Sequence, residues 1–362
     1  MIKRYFDTVL LFCLLLVFTS VPQAREVPDL YQAFVPVKTQ ERAERLRAYP
    51  QALSQVIIKL SGNRMAPDFP EMAGAMTQAL AWVQSYHYDT LPEENHLALK
   101  EEGYQRMLVV EFDAQAVSQA LVDAGVPLWS HTRPEVLLWL AVEDRGARYL
   151  LAASASAEME SVLDDYSRRR GLPLMLPLVD LEDQMRIGFA DVWGNFRQTI
   201  VDASVRYGVD AVLVGRLYRP YDGPWRARWT LYQGSETQHW QVDGMAQENV
   251  LGGGVEGAAD RIAQRYAQVL TSDAADEVVL TVTGIGSLVG YAKAMKYLAS
   301  LDVVSRVRVS SVAGDEVVFD LDIRGDVKGL EQAIALGETL RQVAAVQRMM
   351  ERSQAYVYQL LP

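Results

Sequence analysis

The sequence predicts an α/β (α+β) protein built as serial small mixed-sheet modules. Its 362 residues exceed one typical domain, since domains average about 150 residues, so two or three modules are expected. Half of the residues are hydrophobic and 22% are charged, which is typical of a chain with a packed core. Apolar runs of strand length alternate with helical stripes along the chain, and this order favours sheets with helices packed on them.

Residues 1–24 predict a secretory signal peptide. Lys3 and Arg4 precede the unbroken apolar run VLLFCLLLVF, and Ala24 supplies a small residue for cleavage. The run is shorter than the roughly 20 residues that cross a bilayer, although an uncleaved anchor remains the alternative. Because Cys13 lies inside the signal, cleavage would leave an exported chain without cysteine.

Residues 25–130 are predicted to form a first α/β domain. Pro50 interrupts a helical stripe and therefore predicts a kink or a helix start at that position. Strands are expected at 30–37 and 106–112, and helices at 40–60, 70–83 and 114–124.

Residues 133–272 are predicted to form a mixed α/β domain with an antiparallel meander. Gly234 and Ser235 mark the turn between its last two strands. Gly252–Gly254 predicts a flexible hinge ahead of the closing helix. Strands are expected at 134–142, 210–217, 225–232 and 238–242, and helices at 158–170, within 183–207 and at 255–270.

Residues 276–362 are predicted to form a third domain in the order βαββαβ, which is the ferredoxin-like arrangement. Between its first strand and helix, Gly284, Gly286 and Gly290 resemble a dinucleotide-binding loop. Three residues separate the second and third glycines, which is one too many for that fingerprint. A tight strand-to-helix turn is therefore expected, with no cofactor.

The charge balance argues against nucleic-acid binding. Lysine and arginine total 35 against 46 acidic residues, giving a net charge of −11, whereas phosphate binding needs clustered positive charge. The histidines lie too far apart in sequence for a helical metal site, and no motif of a known catalytic nucleophile occurs. These patterns predict no metal centre of the transition-metal type and favour a protein that is not an enzyme. The histidines are His87, His96, His131 and His239.

Three clustered carboxylates, Asp180, Glu182 and Asp183, follow a proline-rich strand end. Paired carboxylates can perform acid/base chemistry on sugars, and clustered ones can bind calcium. Acidic residues also stabilise the N-terminus of a helix, which is the simpler interpretation.

The predicted strand Trp225–Tyr232 separates two kinds of side chain. Alternation places the tryptophans on one face, which we expect to be the core, although a sugar-binding platform is the alternative. The opposite face then presents Arg226, Arg228 and Tyr232 as candidate partner-binding residues, because arginine and tyrosine are favoured at interfaces.

Three stretches together resemble an uncharacterised proteobacterial envelope family catalogued as domain of unknown function 2066. They are PQALSQVIIKLSGN at 50–63, GLPLMLPLVDLED at 171–183 and YGVDAVLVGRLYR at 207–219. The resemblance implies a signal-bearing bacterial protein of the cell envelope and no particular activity.

These observations favour a non-catalytic periplasmic protein, soluble or peripherally attached, that binds envelope components. The expected partner is an envelope protein or a peptidoglycan-associated one. The alternative is a carboxylate-dependent enzyme or binder acting on envelope glycans, with the carboxylates of residues 180–183 facing the aromatic side chains of Trp225–Trp240. A third possibility is a small-ligand binder with its site in a cleft between modules.

Overall fold

The computed structural model describes residues 25–91, 96–153, 155–220, 223–271, 276–343 and 356–361. The predicted signal peptide lies outside the described residues. Within them, the strands form sheets of two, three, five and six strands. The predicted α/β class, with several mixed and antiparallel sheets, is confirmed.

The first module contains a three-stranded antiparallel sheet with a long helix on one face. Its elements are β1 (Arg25–Glu26), β2 (Gln32–Val37), α1 (Arg42–Ser61), α2 (Ala73–Thr77), β3 (Val83–Asp89), α3 (His96–Glu101), β4 (Arg106–Phe112) and α4 (Ala114–Asp123). In the sheet order β2-β4-β3, alternate side chains of β2 are buried because they face α1.

Two sequence-based expectations for this module are wrong. Of the kink or helix start predicted at Pro50, the helix start is wrong: α1 begins at Arg42 and continues through the proline, because buried side chains on both sides of it, among them Tyr49 and Leu53, hold the apolar face on the core. The helix predicted at 70–83 is reduced to α2, with 3₁₀ turns at Pro70–Met72 and Ala79–Trp82. Val83 instead begins strand β3, because residues 83–89 pair along β4, a partner distant in sequence.

The middle module is a six-stranded mixed sheet in the order β11-β10-β9-β6-β7, with β8 also pairing with β6. Its strands are β6 (Val136–Asp144), β7 (Ala147–Leu150), β8 (Leu174–Met175), β9 (Ala211–Tyr218), β10 (Trp225–Gln233) and β11 (Glu236–Gly244). Its helices are α5 (Ala157–Arg170), α6 (Leu181–Arg186), α7 (Phe189–Gly194), α8 (Arg197–Ser204) and α9 (Gln247–Tyr266). Helices α5 and α9 cover one face and α7 and α8 the other, so β6 is apolar and buried along most of its length.

The predicted hinge at Gly252–Gly254 is wrong, because these glycines lie inside α9. They let the helix approach the sheet closely. A Cβ atom on Gly254 would lie 2.3 Å from the Trp229 ring, and one on Gly253 would lie 2.7 Å from the side chain of Val242.

The third module has one strand more than the predicted βαββαβ order. Its elements are β12 (Asp276–Thr283), α10 (Leu288–Ser300), β13 (Val304–Ala313), β14 (Glu316–Ile323), α11 (Val327–Leu336), β15 (Leu340–Gln342) and β16 (Tyr356–Leu360). The sheet order is β13-β14-β12-β16-β15. Because the chain reverses between β15 and β16, the last strand runs parallel to β12.

A short connecting segment, residues 127–133, contacts all three modules. Its Leu128 exchanges two backbone hydrogen bonds with Gln268, next to the third module. The Trp129 amide donates to the carbonyl of Leu60 at the end of α1. At the end of the segment, β5 (Thr132–Arg133) pairs with β1.

Arg133 fixes this segment to its neighbours from a fully buried position. Its guanidinium stacks on Trp129 and donates to the backbone carbonyls of Lys59, Arg170 and Gly171. Burial lowers the pKa of Arg133 to about 9. Its charge is therefore held by carbonyl dipoles between α1 and the end of α5.

Candidate functional site

The acidic loop between β8 and α6 folds around one arginine. Asp180 caps α6 by accepting a hydrogen bond from the Asp183 amide at 3.0 Å. Arg206 donates to Asp180 Oδ1 at 2.7 Å and to Asp183 Oδ1 at 3.0 Å. The hydrogen bonds from Arg206 lower the pKa of Asp180 to about 2.

The second oxygen of Asp183 is also occupied. It accepts from the Tyr207 hydroxyl at 2.5 Å and from the Val179 amide at 2.9 Å. Burial, followed by this hydrogen bond to Asp183, raises the pKa of Tyr207 to about 12. Val179 has a φ of 51°, which is rare for a β-branched residue, and the hydrogen bond from its amide helps to hold that conformation.

Asp183 is therefore a structural group and not an exposed binding residue. It is fully buried, whereas Asp180 and Glu182 keep about two-fifths of their side chains exposed beside Arg206. The guanidinium already supplies the positive charge that a calcium ion would bring to this loop. Among the described residues, no group of three or more His, Cys, Asp or Glu side chains is arranged to hold a metal ion.

The carboxylates do not face the tryptophans of β10. Val179 and Tyr207 pack with the core on the α7–α8 side of the middle sheet, whereas Trp225 and Trp229 pack with the core under α5 and α9. Trp229 is 1% exposed, so the prediction that the tryptophans form the core face is confirmed. The arrangement expected of a glycan-cleaving site is not present in these residues.

Tyr232, predicted to be exposed, is buried. The segment between α7 and α8 covers it: its hydroxyl donates to Asn195 Oδ1 at 3.0 Å, and the Arg197 guanidinium lies over its ring. Thr230, next along the same face, is also buried and accepts from the side chain of Asn195.

The other end of this strand face remains open and carries two adjacent arginines. Arg228 is exposed and lies directly opposite Arg216 in the antiparallel register of β9 and β10. Among the described residues, neither side chain forms an ion pair. Like charges directly opposite each other destabilise a sheet, so this pair is an energetic cost unless an anion joins it.

Arg216 is the better fixed of the two guanidinium groups. Its Nη1 donates to the backbone carbonyl of Trp193 at 3.3 Å, while its Nε is buried without a hydrogen-bond partner. Burial, followed by the charge of Arg228, lowers the pKa of Arg216. Sequence reasoning missed Arg216, although a lone charged residue in the apolar strand AVLVGRLY was a signal for it.

Aromatic rings border the arginine pair. Trp193 packs edge-to-face on Tyr218 with ring centroids 6.1 Å apart, and Tyr218 lies opposite Arg226 on β10. The half-exposed Arg226 lies 3.9 Å from an oxygen of Asp243. The resulting surface is named the arginine face and consists of Arg216, Arg226, Arg228, Trp193 and Tyr218.

The side chains of the arginine face are of the kinds that bind anions. Guanidinium groups bind carboxylates and phosphates through two parallel hydrogen bonds, and neighbouring aromatic rings add contact area. No hydrogen bond or ion pair among the described residues joins this surface to Asp180, Glu182 or Asp183.

Comparison with known proteins concerns the first module. The sequence model of a family described as "Domain of unknown function (DUF8605)" matches residues 24–130. The resemblance to domain of unknown function 2066 is therefore wrong, because the matching family is a different one. The run LPLVDLED, on which the resemblance partly rested, lies outside the matched residues, where it follows strand β8 and supplies the cap and first turn of α6. No curated protein matches the chain. Residues 24–130 are thus similar to a family whose description names no function.

Proposed function

We propose that this protein is a non-catalytic binding protein of the bacterial periplasm, and that it holds an envelope protein through the arginine face. The observation that carries the proposal is the cross-strand pair Arg216–Arg228, which has no carboxylate partner among the described residues. The contact expected on the partner is an acidic segment.

The electrostatics favour such a partner. The chain carries a net charge of −11, so a bare pair of guanidinium groups is a local exception on an acidic protein. A carboxylate placed between them would offset their mutual repulsion and accept charge-assisted hydrogen bonds from the two guanidinium groups. Rim charges of this kind steer association and select partners.

The glycan-directed alternative has less support. Its carboxylates are neutralised by Arg206, and Asp183 is inaccessible. Its proposed platform, the tryptophan face of β10, is core. The helices among the described residues include none that is long and apolar enough to cross a membrane.

Site-specific crosslinking tests the proposal. Gln241 is exposed and lies opposite Arg228, so a photo-reactive amino acid at position 241 should capture an envelope protein through an acidic segment. The matched control is position 71, an exposed glutamate in the first module. Capture at 241 should disappear with Arg228→Glu. Equal capture at both positions, or capture that survives Arg228→Glu, would contradict the proposal.

The proposed location rests on the N-terminal sequence. Fractionation followed by N-terminal sequencing should find the chain in the periplasm, beginning near Arg25. A cytoplasmic chain that retains Met1 would contradict export.

A further inference from the structure

A cleft separates α5 from the outer face of the first sheet. It comprises two adjoining cavities of about 340 and 960 Å³, which share Phe34, Lys59 and Arg168 in their walls. Volumes of this size are typical of small-molecule sites. The cleft lies in and beside the first module, away from the arginine face.

Lys59 is an unusual wall residue because it is only 3% exposed and has no ion-pair partner among the described residues. Its Nζ donates to the carbonyls of Gln32 at 2.7 Å and Asp29 at 3.3 Å. An ammonium has three N–H donors, so one remains for another acceptor. Burial, followed by the charges of Arg133 and Arg168, lowers the pKa of Lys59 to about 8.

Lys59 lies near two further cations, Arg133 and Arg168, and near one carboxylate, Asp29. The buried Arg133 donates only to carbonyls, and one of them is that of Lys59 itself. Among the described residues, Asp165 is the carboxylate that pairs with both Arg168 and Arg169 at the cleft wall. Carboxylates also line the cleft: Asp29 lies beside Lys59, Glu135 and Asp164 line the smaller cavity, and Asp89, Glu102, Asp165 and Glu256 line the larger one. The place for an anion is therefore narrow, at the third N–H of Lys59 and the guanidinium of Arg168, which both cavities share.

The larger cavity continues from this point over apolar side chains. Phe34 and Pro36 project from the face of β2 opposite to α1, and Met107 projects from the same face of β4. Leu91 and Leu99 complete this apolar wall. A chain of methylene groups laid here would lose its contact with water, which is favourable in proportion to the apolar area removed.

A peptide strand cannot use this cleft by pairing with β2. The Gln55 side chain donates to the Phe34 carbonyl at 2.9 Å and accepts from the Phe34 amide at 3.1 Å. Lys59 occupies the Gln32 carbonyl, and Pro36 has no N–H group. The outward edge of β2 is therefore already satisfied, which excludes strand addition.

We propose that this cleft binds an amphipathic anion, with its carboxylate or phosphate head beside Lys59 and Arg168 and its acyl chain along Phe34, Pro36 and Met107. The site is independent of the arginine face. Both head groups share the same chemistry, and the two anionic probes below distinguish them.

Calorimetric titration of the full exported chain tests the site. The probes are dodecanoate and dodecyl phosphate, with dodecyltrimethylammonium as the charge-reversed control, all below their micelle concentrations. At least one anion should bind with one-to-one stoichiometry, and the cation should not bind. Equal binding of the cation, binding at many sites, or no binding of either anion would overturn the proposal.

Two variants locate the head group. Lys59→Met should weaken anion binding at least tenfold, with thermal unfolding recorded to confirm that the variant folds. If that variant fails to fold, Arg168→Gln tests the site instead. Because Arg168 is half exposed, this substitution should lower the affinity for the anion severalfold without loss of the fold. The matched control is Arg148→Gln, an exposed arginine on β7, which should bind as wild type. Arg168→Gln binding as tightly as that control would overturn the proposal.

Discussion

The acidic loop and the arginine face belong to the same module, yet their charges are handled in opposite ways. In the loop, Asp180 and Asp183 share one guanidinium, and Asp183 has no exposed surface. On the arginine face, Arg216 and Arg228 lie side by side without a carboxylate among the described residues. The charges of the loop are thus paired within the protein, whereas the arginine face would gain a partner if the proposed acidic segment bound to it.

The two regions differ in whether their charges are paired within the protein. Paired charges belong to the structure, whereas unpaired charges at the surface are available to a binding partner. Buried charges that are paired hold the fold, and removing one partner leaves the other unsatisfied. Exposed like charges that face each other contribute little to stability and are available to an anion.

Trp229→Ala removes a large ring from the core of the middle module, to which both regions belong. The ring is 1% exposed and packs against α9, so its loss should destabilise the fold by about 3–5 kcal/mol. Denaturant unfolding monitored by circular dichroism measures this change. If Trp229→Ala is as stable as wild type while Arg228→Ala unfolds, the tryptophan face of β10 is exposed and the arginine face is the buried one.

Asp183→Asn should destabilise the protein on the order of 3 kcal/mol, because the buried charge that accepts from Arg206, Tyr207 and Val179 is lost. Glu182→Gln is the matched control, since Glu182 is nearly half exposed and its change should stay within about 0.5 kcal/mol. Equal effects in the two variants would show that the loop does not depend on its buried carboxylate.

Acid should weaken the loop before it affects the arginine face. The pKa of Asp180 falls from 3.8 to about 2 on folding, so its contribution to stability is present above pH 3.8 and is lost as the pH falls toward 2. Thermal unfolding across that range should show a steeper loss for wild type than for Asp180→Asn. Identical pH profiles would contradict the role assigned to the Asp180–Arg206 pair.

Arg228→Gln should change stability least, by no more than about 0.5 kcal/mol, and in the stabilising direction because it relieves repulsion with Arg216. Arg206→Gln, which removes a paired arginine, should destabilise the protein in the same assay. A clear loss of stability in Arg228→Gln would mean that Arg228 has a structural partner after all.

The pattern of apolar and polar residues along the sequence predicts those features of the fold that depend on residues close together in the chain. Alternation along β10 was enough to place Trp229 in the core and Arg228 on the surface. The same rule failed for Tyr232, because Asn195 and Arg197 cover it from another part of the chain. Strand alternation distinguishes two faces, but it carries no information on which part of a face a distant segment covers.

The remaining errors have the same origin. Gly252–Gly254 resembles a flexible linker until the Trp229 ring is brought against it, and Asp183 resembles a surface acid until Tyr207 and Arg206 enclose it. The missed Arg216 becomes notable only when strand register places it beside Arg228. Each feature depends on contacts between residues far apart in sequence, which composition and spacing do not encode.

Binding of an acidic partner by the arginine face is tested by measuring the affinity of the protein for the crosslinked partner. Wild type and the double variant Arg216→Gln, Arg228→Gln should be compared at low and high ionic strength. The account predicts at least about a tenfold loss of affinity in the double variant at low salt, and a weaker dependence on salt than wild type shows. A double variant that binds as tightly as wild type, with the same salt dependence, would contradict the account.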